Sequence, residues 1–407
     1  MDVRIQSGLI AAGAVAAGLV LGWLLFGQGD RSGSGPELEG MAAAQAAYQA
    51  GDMAEAYERL LPLAEAGDPV AMQRIGFMYA EGLHVEQDVE VALDWLERAA
   101  DAGAGEAARL AGRLLREQAE ASSDARQQAD LFDRAAQFGD VQAQAVAGSY
   151  YLQGALGRTS DLDRARQWLT AGAEAGDPRA QSNLGYMYAT GTGVEADLEA
   201  ARLWYQRAAE QGLVRAQAAY ALMLETGRGG PVDFPEAIRF YVNAAEAGQR
   251  PAMAKLGEFI ANDRMQPPQD GRGALFLAEA AALGSGAALD LLSEQAASGD
   301  GFGASALAAL YEAGRGVPEN AVRALELYTV AAERGEPAAQ LALSGRLAAG
   351  SGVQLDYVEA HKWANLAAAQ GYAPAVEARS ALADLMTPDQ LAQAQARASA
   401  WTAAGAQ

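Results

Sequence analysis

Residues Ala180 to Gly212 read AQSNLGYMYATGTGVEADLEAARLWYQRAAEQG, two runs of helix formers parted by a glycine-rich loop. Ala180 to Tyr188 carry small residues with a few large apolar ones, and the loop Gly191-Thr192-Gly193-Val194 leads to Asp197. Asp197 is an acceptor for the free N–H groups at a helix start. Trp204-Tyr205 and the pair Ala208-Ala209 follow, and Gly212 stands just past the expected helix end, where the backbone turns left-handed and a side chain clashes. The spacing therefore predicts two antiparallel helices with a tight turn between them.

The same frame recurs along the chain. Glycines close small-residue helices at 67, 103, 139, 176, 212, 248, 284, 299, 335 and 371, in steps of 36 or 37 residues with a single step of 15. Such fixed-period self-similarity marks a repeat architecture. Fifteen residues before these stops stand Asp52, Asp88, Asp124, Asp161, Asp197, Asp233, Asn320 and Asp356. The Gly284 unit departs, with Gln269 at that offset and Asp270 beside it. Alanine pairs precede most stops (Ala99-Ala100, Ala244-Ala245, Ala331-Ala332) and let helices approach closely. Trp95, Trp168, Trp204, Phe240-Tyr241, Phe276, Tyr328 and Trp363 lie four or five residues earlier still, and are expected as core anchors between layers rather than as a cofactor site. Gly76-Phe77-Met78-Tyr79 repeats the first-helix signature, and Gly314-Arg315-Gly316-Val317 and Gly350-Ser351-Gly352-Val353 repeat the loop. No strand precedes these glycines and no lysine follows at the site a nucleotide loop needs, so they are turns and not phosphate cradles.

With A-x-x-x-L-G-x-x-Y, G-x-G-V-x-x-D and A-x-x-W-Y-x-x-A-A-x-x-G in place, the chain closely resembles the Sel1-like repeat family, relatives of the tetratricopeptide repeat. The resemblance covers residues 37–401 and is strongest in 69–103, 143–248 and 301–371. It implies an all-α, right-handed α-α superhelical solenoid of helix pairs about 36 residues long, serving as an adaptor or scaffold, often in bacterial envelope or signalling assemblies.

Two units break the pattern. Residues 107–139 keep the second-helix frame but replace the glycine loop with Glu117 to Ser123. Between Gly284 and Gly299 only about one helix fits, so a kink or change of phase is expected at 284–303. At the end, Thr387 caps a last helix with Pro388 at its first position, and the amphipathic segment 388–401 with Trp401 suits a terminal cap, which a solenoid needs to cover its last apolar layer.

Ahead of the repeats, Gly8 to Gly27 read GLIAAGAVAAGLVLGWLLFG, uncharged and long enough for one transmembrane helix preceding the solenoid. One arginine flanks it on each side, Arg4 and Arg31, so charge bias sets little. The short tail before it favours a signal anchor with the long domain exported, hence a single-pass inner-membrane protein with a periplasmic repeat domain and a bilayer contact through residues 8–27. Ala14, Gly18 and Gly22 form a small-residue stripe through which two anchors could pair weakly. The expected layout is a tail (1–7), the anchor (8–27), a flexible linker (28–36), a first repeat block (37–283), an irregular single-helix junction (284–303), a second block (304–371) and capping helices (372–407).

Composition narrows the chemistry. Hydrophobic residues make up 51% of the chain and aromatics only 7%, with alternating β-branched runs nearly absent, so the class is all-α. The 52 acids against 30 bases leave a net charge of -22, which repels nucleic acid and rules it out as a partner. With no cysteine, thiolate metal sites, cysteine nucleophiles and disulfides are excluded. The two histidines, His84 in an interhelix loop and His361 on a second helix, belong to no HExxH, Ser-His-Asp or zinc spacing and read as surface residues. No catalytic, cofactor-binding or metal residue is expected, and no enzyme. The expected function is binding of one or more proteins on the concave surface formed by first helices, whose individual contact residues stay unassigned. The competing readings are a cytoplasm-facing, membrane-tethered regulator of an enzyme or signalling protein, and a polysaccharide-assembly solenoid.

Overall fold

Glycine stops and polar starts are local signals, and the computed structural model, which describes residues 36–268 and 270–405, puts helix ends at them. Among the described residues there are 21 helices and no strand. They fall into two compact units, Met1–Asp197 and Leu198–Gln407. The first unit holds Pro36–Gln49, Met53–Glu65, Pro69–Glu81, Val89–Asp101, Gly105–Ala121, Ala125–Gln137, Val141–Gln153, Leu162–Glu174 and Pro178–Thr190. The second holds Leu198–Glu210, Val214–Thr226, Phe234–Glu246, Arg250–Ala261, Arg272–Ala282, Gly286–Ala297, Gly301–Ala313, Ala321–Glu333, Pro337–Ala349, Tyr357–Ala369, Ala373–Ala383 and Pro388–Gly405.

Every stop glycine adopts a left-handed φ, between +81° and +99°. The residue after it then donates its N–H to a carbonyl five positions back, as in Asp68 to Leu63 at 3.0 Å and Asp177 to Gly172 at 2.9 Å, which satisfies an orphan carbonyl of the helix just ended. That same residue starts the next helix. The Asp68 carboxylate accepts from Val70 and Ala71, and Asp140, Asp177, Asp300 and Glu336 do likewise at their helices. One dipeptide thus serves as both stop and start, a double use the spacing of the second-helix caps did not suggest. The expected caps Asp52, Asp88, Asp124, Asp161, Asp233, Asn320 and Asp356 each accept a backbone N–H from the first turn of the second helix, worth about 1 kcal/mol apiece. Gln269 lies outside the described residues, while Asp270 accepts the Arg272 N–H at 3.2 Å.

Alanine supplies the close packing. Ala56, Ala71, Ala92, Ala99, Ala107 and Ala129 are fully buried in the first unit among Leu60, Ile75, Leu93, Leu96 and Leu115. In the second, Ala208, Ala237, Ala244 and Ala331 are equally buried, with Phe240, Phe259 and Leu277 filling the larger spaces. Successive pairs are also tied by buried glutamines on the first helices. Gln144, Gln181, Gln217 and Gln340 donate from Nε2 to the carbonyls of Ala136, Ala173, Ala209 and Ala332, at 3.2 to 3.5 Å.

In the 107–139 unit, the first helix runs on through the missing loop to 17 residues, Gly105–Ala121, where most others have 13. At the C-terminal end, Thr387 and Gln390 cap reciprocally, Gln390 N–H to Thr387 Oγ1 at 3.3 Å and Thr387 N–H to Gln390 Oε1 at 2.9 Å. The last helix lies on Tyr357–Ala369, with Trp401 edge-on to Trp363 at 6.0 Å and Arg397 bonded to Glu359 at 2.5 Å.

The single-pass inner-membrane placement needs correction. Among the described residues no helix is long and apolar enough to cross a membrane. The longest, Pro388–Gly405, has 18 residues and carries Asp389 and Arg397, short of the roughly 20 predominantly apolar residues a bilayer core requires. Residues 8–27 lie outside the described residues, as do Arg4, Arg31, the stripe Ala14, Gly18 and Gly22, and the bilayer and dimer contacts expected there.

Candidate functional site

Both histidine expectations concern burial, and one of them is wrong. His84 is exposed, in the left-handed region at φ +68° where other repeats use glycine, with its ring 5.6 Å from Tyr57. His361 is not a surface residue: it is 2% exposed, and burial followed by the nearby Arg379 guanidinium holds its imidazole below the ordinary range. It lies on the side of its helix that faces Ala373–Ala383, where Arg379 bonds Asn365 one turn along, which helical periodicity alone does not reveal. Among the described residues no group of three or more His, Cys, Asp or Glu could hold a metal ion.

The aromatic anchors divide as well. Tyr205, Phe240, Tyr241, Phe276, Tyr328 and Trp363 are buried, but Trp95, Trp168 and Trp204 are only partly so. Their following neighbours Leu96, Leu169 and Tyr205 take the inward position instead. Arg98 and Arg207 lie over the Trp95 and Trp204 rings at 4.3 and 4.7 Å, which covers indole faces that the helix leaves at its edge.

The site that stands out arises from the odd helix Gly286–Ala297 in the second unit. In a regular pair-to-pair step, the loop after a first helix packs on the start of the preceding second helix. A Cβ on Gly193 would meet Leu162, and one on Gly229 would meet the Leu198 carbonyl at 2.0 Å. After the extra helix this relation reverses. The loop glycine Gly316 now packs on the end of Arg272–Ala282, its Cβ position 2.2 Å from the Ala281 carbonyl, while Phe302 at the start of Gly301–Ala313 sits on Gly271. Starts meet starts and ends meet ends, so Arg272–Ala282 and Gly301–Ala313 run side by side in the same direction. One added helix in an alternating stack forces this result.

An open groove of about 470 Å³ results. Leu275 and Phe302 form its lip and are 58% and 46% exposed, large apolar side chains that water would ordinarily drive inward. Ala306, Ala309 and Ala342 give a shallow floor, and Tyr328 and Tyr372 close the far side. Gly271 is needed twice over: its φ is +82°, and a Cβ there would fall 2.5 Å from the Phe302 ring.

Charges around the groove are engaged. Arg272 pairs with Glu246 at 2.5 Å and Asp270 at 2.7 Å, and Glu336 is used as a helix cap. Tyr328 donates to Glu312 at 2.8 Å, and burial together with that carboxylate pushes the phenol well above its ordinary range. Arg346 reaches the same Glu312 at 2.5 Å. Glu279 receives Arg250 at 2.9 Å and Arg315 at 2.8 Å. Burial raises its pKa, but the two guanidiniums outweigh that and hold the carboxyl below the ordinary range. The groove thus offers apolar surface within a largely paired charged frame, suited to binding. The sequence did carry a signal for it: Phe302 occupies the helix position filled elsewhere by Val70, Gln142, Arg179, Pro251 and Ala338.

Comparison with known proteins follows the same frame. The Sel1 repeat matches residues 69–103, 141–177, 178–213, 214–249, 250–285, 302–336 and 337–372, leaving out the loop-less unit and the odd helix. The solved structure of a protective antigen present in uropathogenic Escherichia coli strains, displaying an SLR fold, is 23% identical over 90% of this chain and 92% of that one, with a TM-score of 0.42. A Sel1 repeat protein from Oxalobacter formigenes is 27% identical over 59% of this chain and 98% of that one, with a TM-score of 0.42. No curated protein matches. Seven matches covering more than half of the chain, laid on helix pairs that the glycine stops and polar caps delimit, show that it belongs to the Sel1 repeat family.

Proposed function

We propose that this chain is a non-catalytic scaffold that binds partner proteins, with the groove between Leu275 and Phe302 as a principal docking site for an extended partner segment carrying an aliphatic or aromatic anchor. Sel1 repeat proteins generally mediate protein–protein interaction, which supports the class of function. The observation that carries the site is the pair of half-exposed apolar side chains at the mouth of an open, alanine-floored groove whose charged neighbours are already paired. Anchors of that kind dominate binding energy when a partner excludes water around them.

The test places a photo-cross-linking phenylalanine analogue at position 302 in the full chain inside its native cell, with a control at Val322, which is 66% exposed on a second helix. A protein cross-linked from 302 and not from 322 is then purified and titrated against the chain. Phe302→Asp and Leu275→Asp are expected to weaken that binding by about tenfold or more, as loss of a buried anchor does, while Val322→Asp leaves it unchanged. Equal cross-linking at both positions, or undiminished binding by Phe302→Asp, overturns the assignment.

A further inference from the structure

The buried histidine takes no part in the groove. His361 lies on Tyr357–Ala369 and its Nδ1 is buried without a hydrogen-bond partner. Asn365, one turn along the same helix face, accepts from Arg379 Nη1 at 3.3 Å. The stripe His361–Asn365 therefore faces Ala373–Ala383, and Arg379 is the charged neighbour that acts on the imidazole.

The carboxylates on the elements packed around this helix are engaged elsewhere or face outward. On the helix itself, Glu359 is taken by Lys362 at 3.0 Å and Arg397 at 2.5 Å, and Asp356 caps the start. The charged residue of Pro337–Ala349 is Arg346, held by Glu312. Ala373–Ala383 contributes Glu377, which is exposed, and Arg379. Pro388–Gly405 contributes Asp389, exposed in its first turn, and Arg397. The inward charge facing His361 is a cation.

We propose that His361 makes the C-terminal end of the second unit acid-labile: a proton taken up there creates a second cation beside Arg379 in a dry interface, and Ala373–Ala383 parts from Tyr357–Ala369 to let it reach water, loosening the helix that follows it. The folded state disfavours the proton and the unfolded state does not, so the folded state binds fewer protons and stability rises with pH. The contribution is fully present above the ordinary imidazole value of 6.5 and is lost as pH falls below it. The end of a repeat stack opens first because its helices have neighbours on one side only. Opening uncovers an apolar end face that includes Ala360 and Ala364.

Amide hydrogen exchange on the full chain, corrected for the intrinsic rate, at about pH 7.5 and about pH 5.5 brackets the imidazole range. Residues 373–405 are expected to lose protection severalfold at the lower pH while 301–349 do not, and His361→Gln is expected to abolish the difference. His361→Gln could loosen the end at every pH, so a proton NMR titration of the wild-type chain gives an independent reading. His361 should titrate below the ordinary imidazole value of 6.5 and move up toward it in Arg379→Gln. Titration of His361 at or above 6.5, unchanged exchange between the two pH values, or an equal pH step in His361→Gln overturns the proposal.

Discussion

Among single residues, the buried glutamines show how an alanine-rich stack keeps its register. Gln340 is 0% exposed, donates to the Ala332 carbonyl at 3.2 Å and accepts from Gln370 Nε2 at 3.0 Å. Both ends of one amide are thus used to link the helix before and the helix after. Gln340→Glu keeps the shape but sets a carboxylate against a carbonyl oxygen, an unpaired buried charge that should cost roughly 3–5 kcal/mol at neutral pH. Protonation relieves it, so the folded carboxyl is raised and the deficit should shrink as pH falls toward the ordinary carboxylate range; urea midpoints across pH measure this. A variant as stable as wild type at pH 7 would show that the amide donors contribute nothing. The Ala-Gln dipeptides were plain in the sequence, yet a glutamine reads as a surface residue until the neighbouring carbonyl is in place.

For elements, what decides the pair geometry is how closely two helices cross. Gly257 lies where Arg250–Ala261 meets Arg272–Ala282, and a Cβ there would stand 2.1 Å from the Phe276 carbonyl oxygen, which is backbone and cannot swing aside. Gly345, inside Pro337–Ala349, has nothing within 4 Å. Gly257→Ala is therefore expected to destabilise by about 1–3 kcal/mol through overpacking. Gly345→Ala should stabilise by about 0.5–1 kcal/mol, since only helix propensity changes. Thermal unfolding of the two variants side by side checks both signs, and a destabilised Gly345→Ala would count against the argument. Starts and stops were legible because caps and left-handed glycines act within a few residues, as at Asp52, Gly67 and Thr387. Burial was less so. His361 and the indoles of Trp95, Trp168 and Trp204 sit at helix edges whose cover depends on the next helix over, and the 15-residue step announced an odd helix without saying that Gly301–Ala313 would run alongside Arg272–Ala282.

At the scale of the whole molecule, charge is the term that local packing leaves unbalanced. With 52 acids against 30 bases, at least part of the acidic surface has no basic counterpart, while exposed pairs such as Arg59–Glu55 and Arg323–Glu326 contribute only about 0.2–0.5 kcal/mol each. Self-repulsion should prevail, so the melting temperature is expected to rise as salt is increased from about 10 mM to about 150 mM; a fall would mean that the ion pairs outweigh the net charge. The joints between helix pairs carry a consequence of a different kind. The residue after each stop glycine bonds five residues back, and at several joints, such as Gly67-Asp68, its side chain also bonds three residues forward; the odd helix is bracketed by two joints of this double kind, Gly284-Ser285 and Gly299-Asp300. A stretch of coding sequence excised or duplicated between two of these dipeptides takes with it a finished beginning and a finished end, so recombination can lengthen or shorten the array without leaving a ragged helix behind.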